Sequence, residues 1–131
     1  MIRITLFALS LALPCAALAQ VQPGSWELTV ITQMTDADKP TGPLKKTQCF
    51  TEEDANDPSR VLGAGGTCQF SNRREVGNTL SFDVKCSGAL PMAGTGSLRT
   101  SGDSFTGQLD LGAGSGFRMN TNISGRRLGP C

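Results

Sequence analysis

The sequence predicts an all-β fold: a single domain built as a curled antiparallel meander of about seven strands, a small barrel or half-barrel, with one short helical turn near residues 51–62. Three observations carry this expectation. Apolar and polar residues alternate at period two along most of the chain, the mark of strands with one dry and one wet face. Glycine-bearing turn dipeptides fall between the alternating runs. No amphipathic helical stripe is long enough to cover the apolar face that those strands would share, so the sheet must curl onto itself or pair with a second copy.

The elements follow in order. Residues 25–34 place Trp26, Leu28, Val30 and Met34 on one face and Ser25, Glu27, Thr29 and Gln33 on the other, with Ile31 an exception. Residues 36–43, with two prolines and a glycine, read as a loop, and residues 44–50 as a weaker strand. Thr51 followed by Asp54 reads as a capping box, with Glu52 and Glu53 favouring a helix start and Pro58 ending or restarting it. Residues 68–76 and 94–100 are weaker strands. Residues 79–86 set Leu80, Phe82, Val84 and Cys86 against Ser81, Asp83 and Lys85. Residues 104–111 set Phe105, Leu109 and Leu111 against Thr106, Gln108 and Asp110, and residues 117–124 set Phe117, Met119 and Ile123 against Arg118, Asn120, Asn122 and Ser124. Gly77-Asn78 and Gly102-Asp103 are two-residue hairpin loops of the kind that needs positive φ, and residues 112–116 form a longer flexible turn. Gly94, Gly96 and Gly107 fall at the start of or inside strands, where glycine marks a bend or a close backbone approach.

Residues 1–19, MIRITLFALSLALPCAALA, read as a cleaved signal peptide. Arg3 gives the positive start, residues 4–13 the apolar run, and Ala17 and Ala19 the small residues before a cut that leaves Gln20 first. The run is shorter than the roughly 20 residues a membrane-spanning helix needs. Pro14 before Cys15 is a poor lipidation context, which wants a small residue there. The expectation is therefore a periplasmic protein, exported and released, with residues 20–131 as its single domain. The chain holds 12 Lys and Arg against 11 Asp and Glu, and Arg3 leaves with the leader. A neutral domain carries no electrostatic footprint for nucleic acid or an anionic membrane.

Aromatics are few, with no Tyr, so the core is small and wants staples. Cys49, Cys68, Cys86 and Cys131 remain after cleavage, and an oxidising compartment makes them structural disulfides in one of three pairings. The expected pairing joins Cys49 with Cys68, closing the irregular segment, and Cys86 with Cys131, tying the last residue to a central strand. Each bridge is worth about 3–4 kcal/mol in the chain-entropy treatment.

Catalytic and metal residues are not expected. With no His, neither a Ser-His-Asp or Cys-His site nor an imidazole metal site can form, and no Cys-x-x-Cys is present. The acidic run Glu52, Glu53, Asp54, Asp57 lacks the Gly and distal Glu of a calcium loop, and two adjacent acids on one turn do not face each other across a glycoside. The basic pairs Lys45-Lys46, Arg73-Arg74 and Arg126-Arg127 send adjacent side chains to opposite faces, so no pair acts as one unit, and each reads as solvated charge. Met34 and Met119 read as core filling rather than soft metal ligands, and Met92 has no assigned place.

Several segments resemble one family. Pro23-Gly24-Ser25-Trp26-Glu27 opens the domain and Cys49-Phe50-Thr51-Glu52-Glu53-Asp54-Ala55 follows the second strand. Cys68, Cys86-Ser87-Gly88 and Ser101-Gly102-Asp103-Ser104-Phe105-Thr106-Gly107 come next, and Ile123-Ser124-Gly125-Arg126-Arg127-Leu128-Gly129-Pro130-Cys131 closes the chain. This resembles the exported Gram-negative bacterial domain-of-unknown-function family 3617 over essentially all of residues 20–131. The resemblance implies a periplasmic location, a β-rich fold and four structural cysteines, and it implies no activity. Trp26, in the most specific part of the opening, reads either as the largest core anchor or as a ligand-facing residue at a barrel mouth.

The functional expectation is a non-enzymatic exported protein, needing no cofactor, whose one-sided sheet binds an apolar or amphiphilic small molecule or an envelope protein. The alternative is a structural or interaction module, monomer or homodimer, whose own side chains fill the dry face. Phe70, Phe82, Phe105 and Phe117 are the inward residues that would do so.

Overall fold

A computed structural model describes residues 20–64 and 66–131; the leader and its cleavage after Ala19 lie outside the described residues. Seven strands form one antiparallel sheet: β1 (Gly24–Met34), β2 (Thr41–Phe50), β3 (Cys68–Val76), β4 (Thr79–Cys86), β5 (Met92–Ser101), β6 (Ser104–Gly112) and β7 (Arg118–Gly129). Two one-turn helices, α1 (Glu52–Ala55) and α2 (Pro58–Val61), lie between β2 and β3. The spatial order is β2-β1-β7-β6-β5-β4-β3. Strands β3 to β7 form a meander, β7 then takes β1 as its neighbour, and β2 and β3 are left as unpaired edges. The sheet is a curled, open half-barrel rather than a closed barrel, and the helical segment connects its two edges. No helix among the described residues is long and apolar enough to cross a membrane.

Local chemistry explains the boundaries. Gly77 and Gly102 stand at φ 60° and 59° in the β3–β4 and β5–β6 turns, a conformation that other L-residues adopt at a cost. The Thr51 hydroxyl accepts from the Asp54 N–H while the Asp54 carboxylate accepts from the Thr51 N–H, closing the expected capping box. Asp57 caps α2, with Pro58 at its first turn, so the expected single helical turn is two turns broken at Asn56-Asp57. Strand β2 begins at Thr41, earlier than expected, because Pro43 is tolerated on an edge where its missing N–H disrupts no inner ladder. Strand β7 continues past Ser124 to Gly129. Gly125 holds an inward position there, so the alternation is hidden by a residue with no side chain.

The disulfides differ from the expected pairing of Cys49 with Cys68 and Cys86 with Cys131. Cys68 is bonded to Cys86, and Cys49 to Cys131. Two features of the ladder account for this. Counted from the Gly77-Asn78 turn, a regular hairpin would place Cys68 opposite Ser87. A bulge between Ser71 and Arg74, where Asn72 sits at φ 52°, adds one residue to β3 and sets Cys68 opposite Cys86. At the other end, Ser25 of β1 pairs with Cys49 on one side and Gly129 on the other. The chain leaving β7 therefore ends within reach of β2.

Candidate functional site

The inner face of the sheet divides into a filled half and an open half. In the filled half, Trp26, Phe50, Val61, Leu80 and Phe82 are the largest fully buried side chains. Trp26 lies 5.2 Å from Phe105 and 6.3 Å from Phe50 between ring centroids, both tilted, an arrangement worth about 0.5–1.5 kcal/mol per pair beyond area burial. Its indole N–H donates to the Gln22 carbonyl at 2.9 Å. Trp26, named as the ligand-facing candidate, is 0% exposed. That corrects the ligand-facing reading: the indole is a core anchor sealed by its neighbours. Of the inward phenylalanines, Phe82 and Phe105 are buried, whereas Phe70 and Phe117 are only half-buried. Phe70 stacks on Phe82 at the β3 edge, with centroids 4.5 Å apart.

In the open half lies a cavity of about 460 Å³. Leu109 and Leu111 of β6 and Ile123 of β7 make its buried floor, and Val30, Met92, Met119 and Ala64 stand half-buried around it. Leu62, just past α2, closes one side. Its side chain occupies the space over Gly107 where a Cβ would otherwise stand, so the helical segment is seated on the sheet at that point. Among the lining hydroxyls, Thr121 shares a hydrogen bond with Thr32 at 3.3 Å and Ser87 donates to the Thr67 carbonyl at 3.2 Å. Leu90 stands at the mouth, half exposed. Four other hollows are smaller, at about 300–400 Å³, and one of them, between Pro58, Phe70 and Phe82, is also chiefly apolar. One on the outer face is lined by Arg74, Ser81, Gln108 and Asp110, where Arg74 pairs with Asp83 and Asp110 with Arg118.

The acidic helical segment is occupied by its own partners. Arg60 lies 2.8 Å from Asp54 and 3.5 Å from both Glu53 and Asp57. Its hydrogen bond holds the Asp54 carboxyl below the usual range, and the capping bonds from Thr51 add to this. The same partner raises Arg60. Among the described residues no group of three or more His, Cys, Asp or Glu side chains is arranged to hold a metal ion.

Two lining residues were not singled out from the sequence. Met92 had no assigned place because a Pro/Gly-rich stretch hides its strand; it is the first residue of β5 and lines the cavity. Lys46 read as one half of a solvated pair. It stands opposite Leu28, whose side chain is buried, and so shares the inner face. The alternation that separates Lys45 from Lys46 was the signal, and the register supplied the direction.

No curated protein and no solved structure matches the chain. The family described as "Protein of unknown function (DUF3617)" matches residues 21–131. With its opening Trp26 anchored in the core, its four cysteines paired and its closing strand locked beside its first, the chain belongs to that family.

Proposed function

We propose that the protein is a non-enzymatic, periplasmic binder of an apolar or amphiphilic small molecule, held in the open half of the sheet's inner face. The observation that carries this reading is the cavity between Leu62, Met92, Leu111 and Met119, at about 460 Å³. That falls within the ~300–1,000 Å³ of ordinary small-molecule sites, which are also lined chiefly by apolar side chains. The leader pattern of residues 1–19 and the two disulfides support export into an oxidising compartment. The competing reading, a module with a self-filled core and no ligand, draws on the filled half around Trp26, Phe50 and Phe82.

Native mass spectrometry of protein released from the periplasm without detergent separates the two. The expected result is a monomer carrying one small apolar adduct. Ala64→Trp, which places an indole in the cavity from a half-buried loop position, is expected to lose the adduct while keeping the wild-type circular dichroism. An adduct retained unchanged in that variant, or protein that is empty and ignores added alkyl ligands, overturns the proposal.

A further inference from the structure

We infer that the cavity takes a single-chain amphiphile with an anionic head group, the head lying against Lys46 at the β2 rim; this rests on the apolar-ligand reading above. Among the described residues that line the cavity, Lys46 is the sole charged side chain. It makes no ion pair with the described carboxylates, which are engaged elsewhere or face outward. The site therefore combines an apolar trough with one cation at its edge and no anion, the complement of a carboxylate or similar head on a hydrocarbon tail. The trough runs across strands from Lys46 past Val30 and Ile123 to Leu111, Met119 and Met92. Adjacent strands lie about 4.8 Å apart, so this path suits an extended chain. The two methionines give the walls freedom to fit tails of different length. The Thr121 and Ser87 hydroxyls are each engaged with a protein partner, Thr32 and the Thr67 carbonyl. The volume, about 460 Å³, lies toward the lower end of the ~300–1,000 Å³ range of ligand sites, which favours one tail over two.

An inward lysine on an edge strand has a second use: it blocks edge-to-edge pairing with another sheet. The experiment is chosen to tell these apart. Calorimetric titration of the purified exported protein with decanoate, 1-decanol and decyltrimethylammonium, each below its aggregation limit, reads head-group preference at constant tail. Decanoate is expected to bind one per chain, about tenfold tighter than decyltrimethylammonium at low salt, the size of one partly screened charge contact. That advantage shrinks as salt is raised. Lys46→Gln is expected to abolish the advantage, and Lys46→Glu to reverse it. If decanoate and decyltrimethylammonium bind equally to the wild type, or Lys46→Gln leaves the preference intact, the anionic head is wrong while the apolar-ligand reading stands. If none of the three ligands binds, the apolar-ligand reading itself falls. If Lys46→Gln dimerises in sedimentation with its ligand preference unchanged, Lys46 is an edge guard and the inference is overturned.

Discussion

The ring of Phe105 lies over Gly125, its direct partner across the β6–β7 ladder, in the space where any side chain at position 125 would stand. The same ring faces Trp26 from two strands away. Removing one side chain from β7 lets residues of β1 and β6 meet above it. The sheet's filled half is organised around that absence.

A Cβ at position 125 overlaps three atoms of the Phe105 ring. Gly125→Ala is therefore expected to cost about 1–3 kcal/mol in urea denaturation, the usual range for overpacking. Gly114→Ala, at a position with nothing within 4 Å, should stay within about 0.5 kcal/mol of wild type, as surface changes do. Phe105→Leu should cost less in the Gly125→Ala background than alone, since the clash and the ring are removed together. Additive behaviour in that cycle would show that Gly125 is needed for some other reason.

The same residue shows what the sequence could and could not disclose. Strands with a clean alternation of large and small residues, such as Leu80-Ser81-Phe82-Asp83-Val84, are legible because each inward side chain fills its own space. Strand β7 beyond Ser124 is not legible, because its inward position is filled by the side chain of another strand. The cysteine pairing fails for a related reason. A bulge at Asn72 leaves no apolar pattern, yet it moves every partner beyond it by one residue. The cavity was visible only as a general consequence, an uncovered dry face. Lys46 became part of it once pairing with Leu28 fixed which way the alternation pointed. Trp26 reads two ways because a large aromatic in a conspicuous motif can serve a core or a binding site, and its contacts with Phe50 and Phe105 show it as the core anchor.

The two disulfides should differ in what they contribute. Cys49 and Cys131 are 82 residues apart and Cys68 and Cys86 are 18 apart. In the chain-entropy treatment the first closes the larger loop, about 4.5 kcal/mol against about 3 for the second. The double variant Cys49→Ser with Cys131→Ser should therefore lose more stability than Cys68→Ser with Cys86→Ser, measured by urea denaturation under non-reducing conditions. Non-reducing peptide mapping of the wild type should recover residues 49 and 131 in one linked pair and 68 and 86 in the other. Recovery of 49 with 68 would contradict the ladder register on which the inner face depends.

Thr51 anchors the segment that places Leu62 over Gly107. Its hydroxyl caps α1, and the capping carboxylate of Asp54 also binds Arg60 from α2. Thr51→Ala is expected to cost about 1 kcal/mol, the usual loss of an N-cap. Hydrogen exchange should show the loss concentrated in residues 52–62 rather than spread through the sheet. Protection that falls equally in β4 and β5 would mean that the segment unfolds only with the whole molecule.

Asn72 holds the bulge by two means, a positive φ and a side-chain hydrogen bond to the Asp83 carboxylate at 2.7 Å. That bond is the main cause that keeps Asp83 below the ordinary carboxylate range, with Arg74 adding a smaller attraction. A carboxyl depressed on folding contributes stability that is present above its unfolded value and is lost as pH falls through its folded value. Asn72→Gly keeps access to positive φ and removes the donor. Asp83 should then titrate at higher pH in a carbon-detected NMR titration, and the Cys68–Cys86 link should still form because the bulge survives. Asn72→Val should cost more stability than Asn72→Gly, since a β-branched residue is strained at positive φ. Arg74→Met should raise the Asp83 titration less than Asn72→Gly does. A larger shift from Arg74→Met would assign the depression to charge rather than to the bulge hydrogen bond. Asn72 would then be important for its backbone geometry alone.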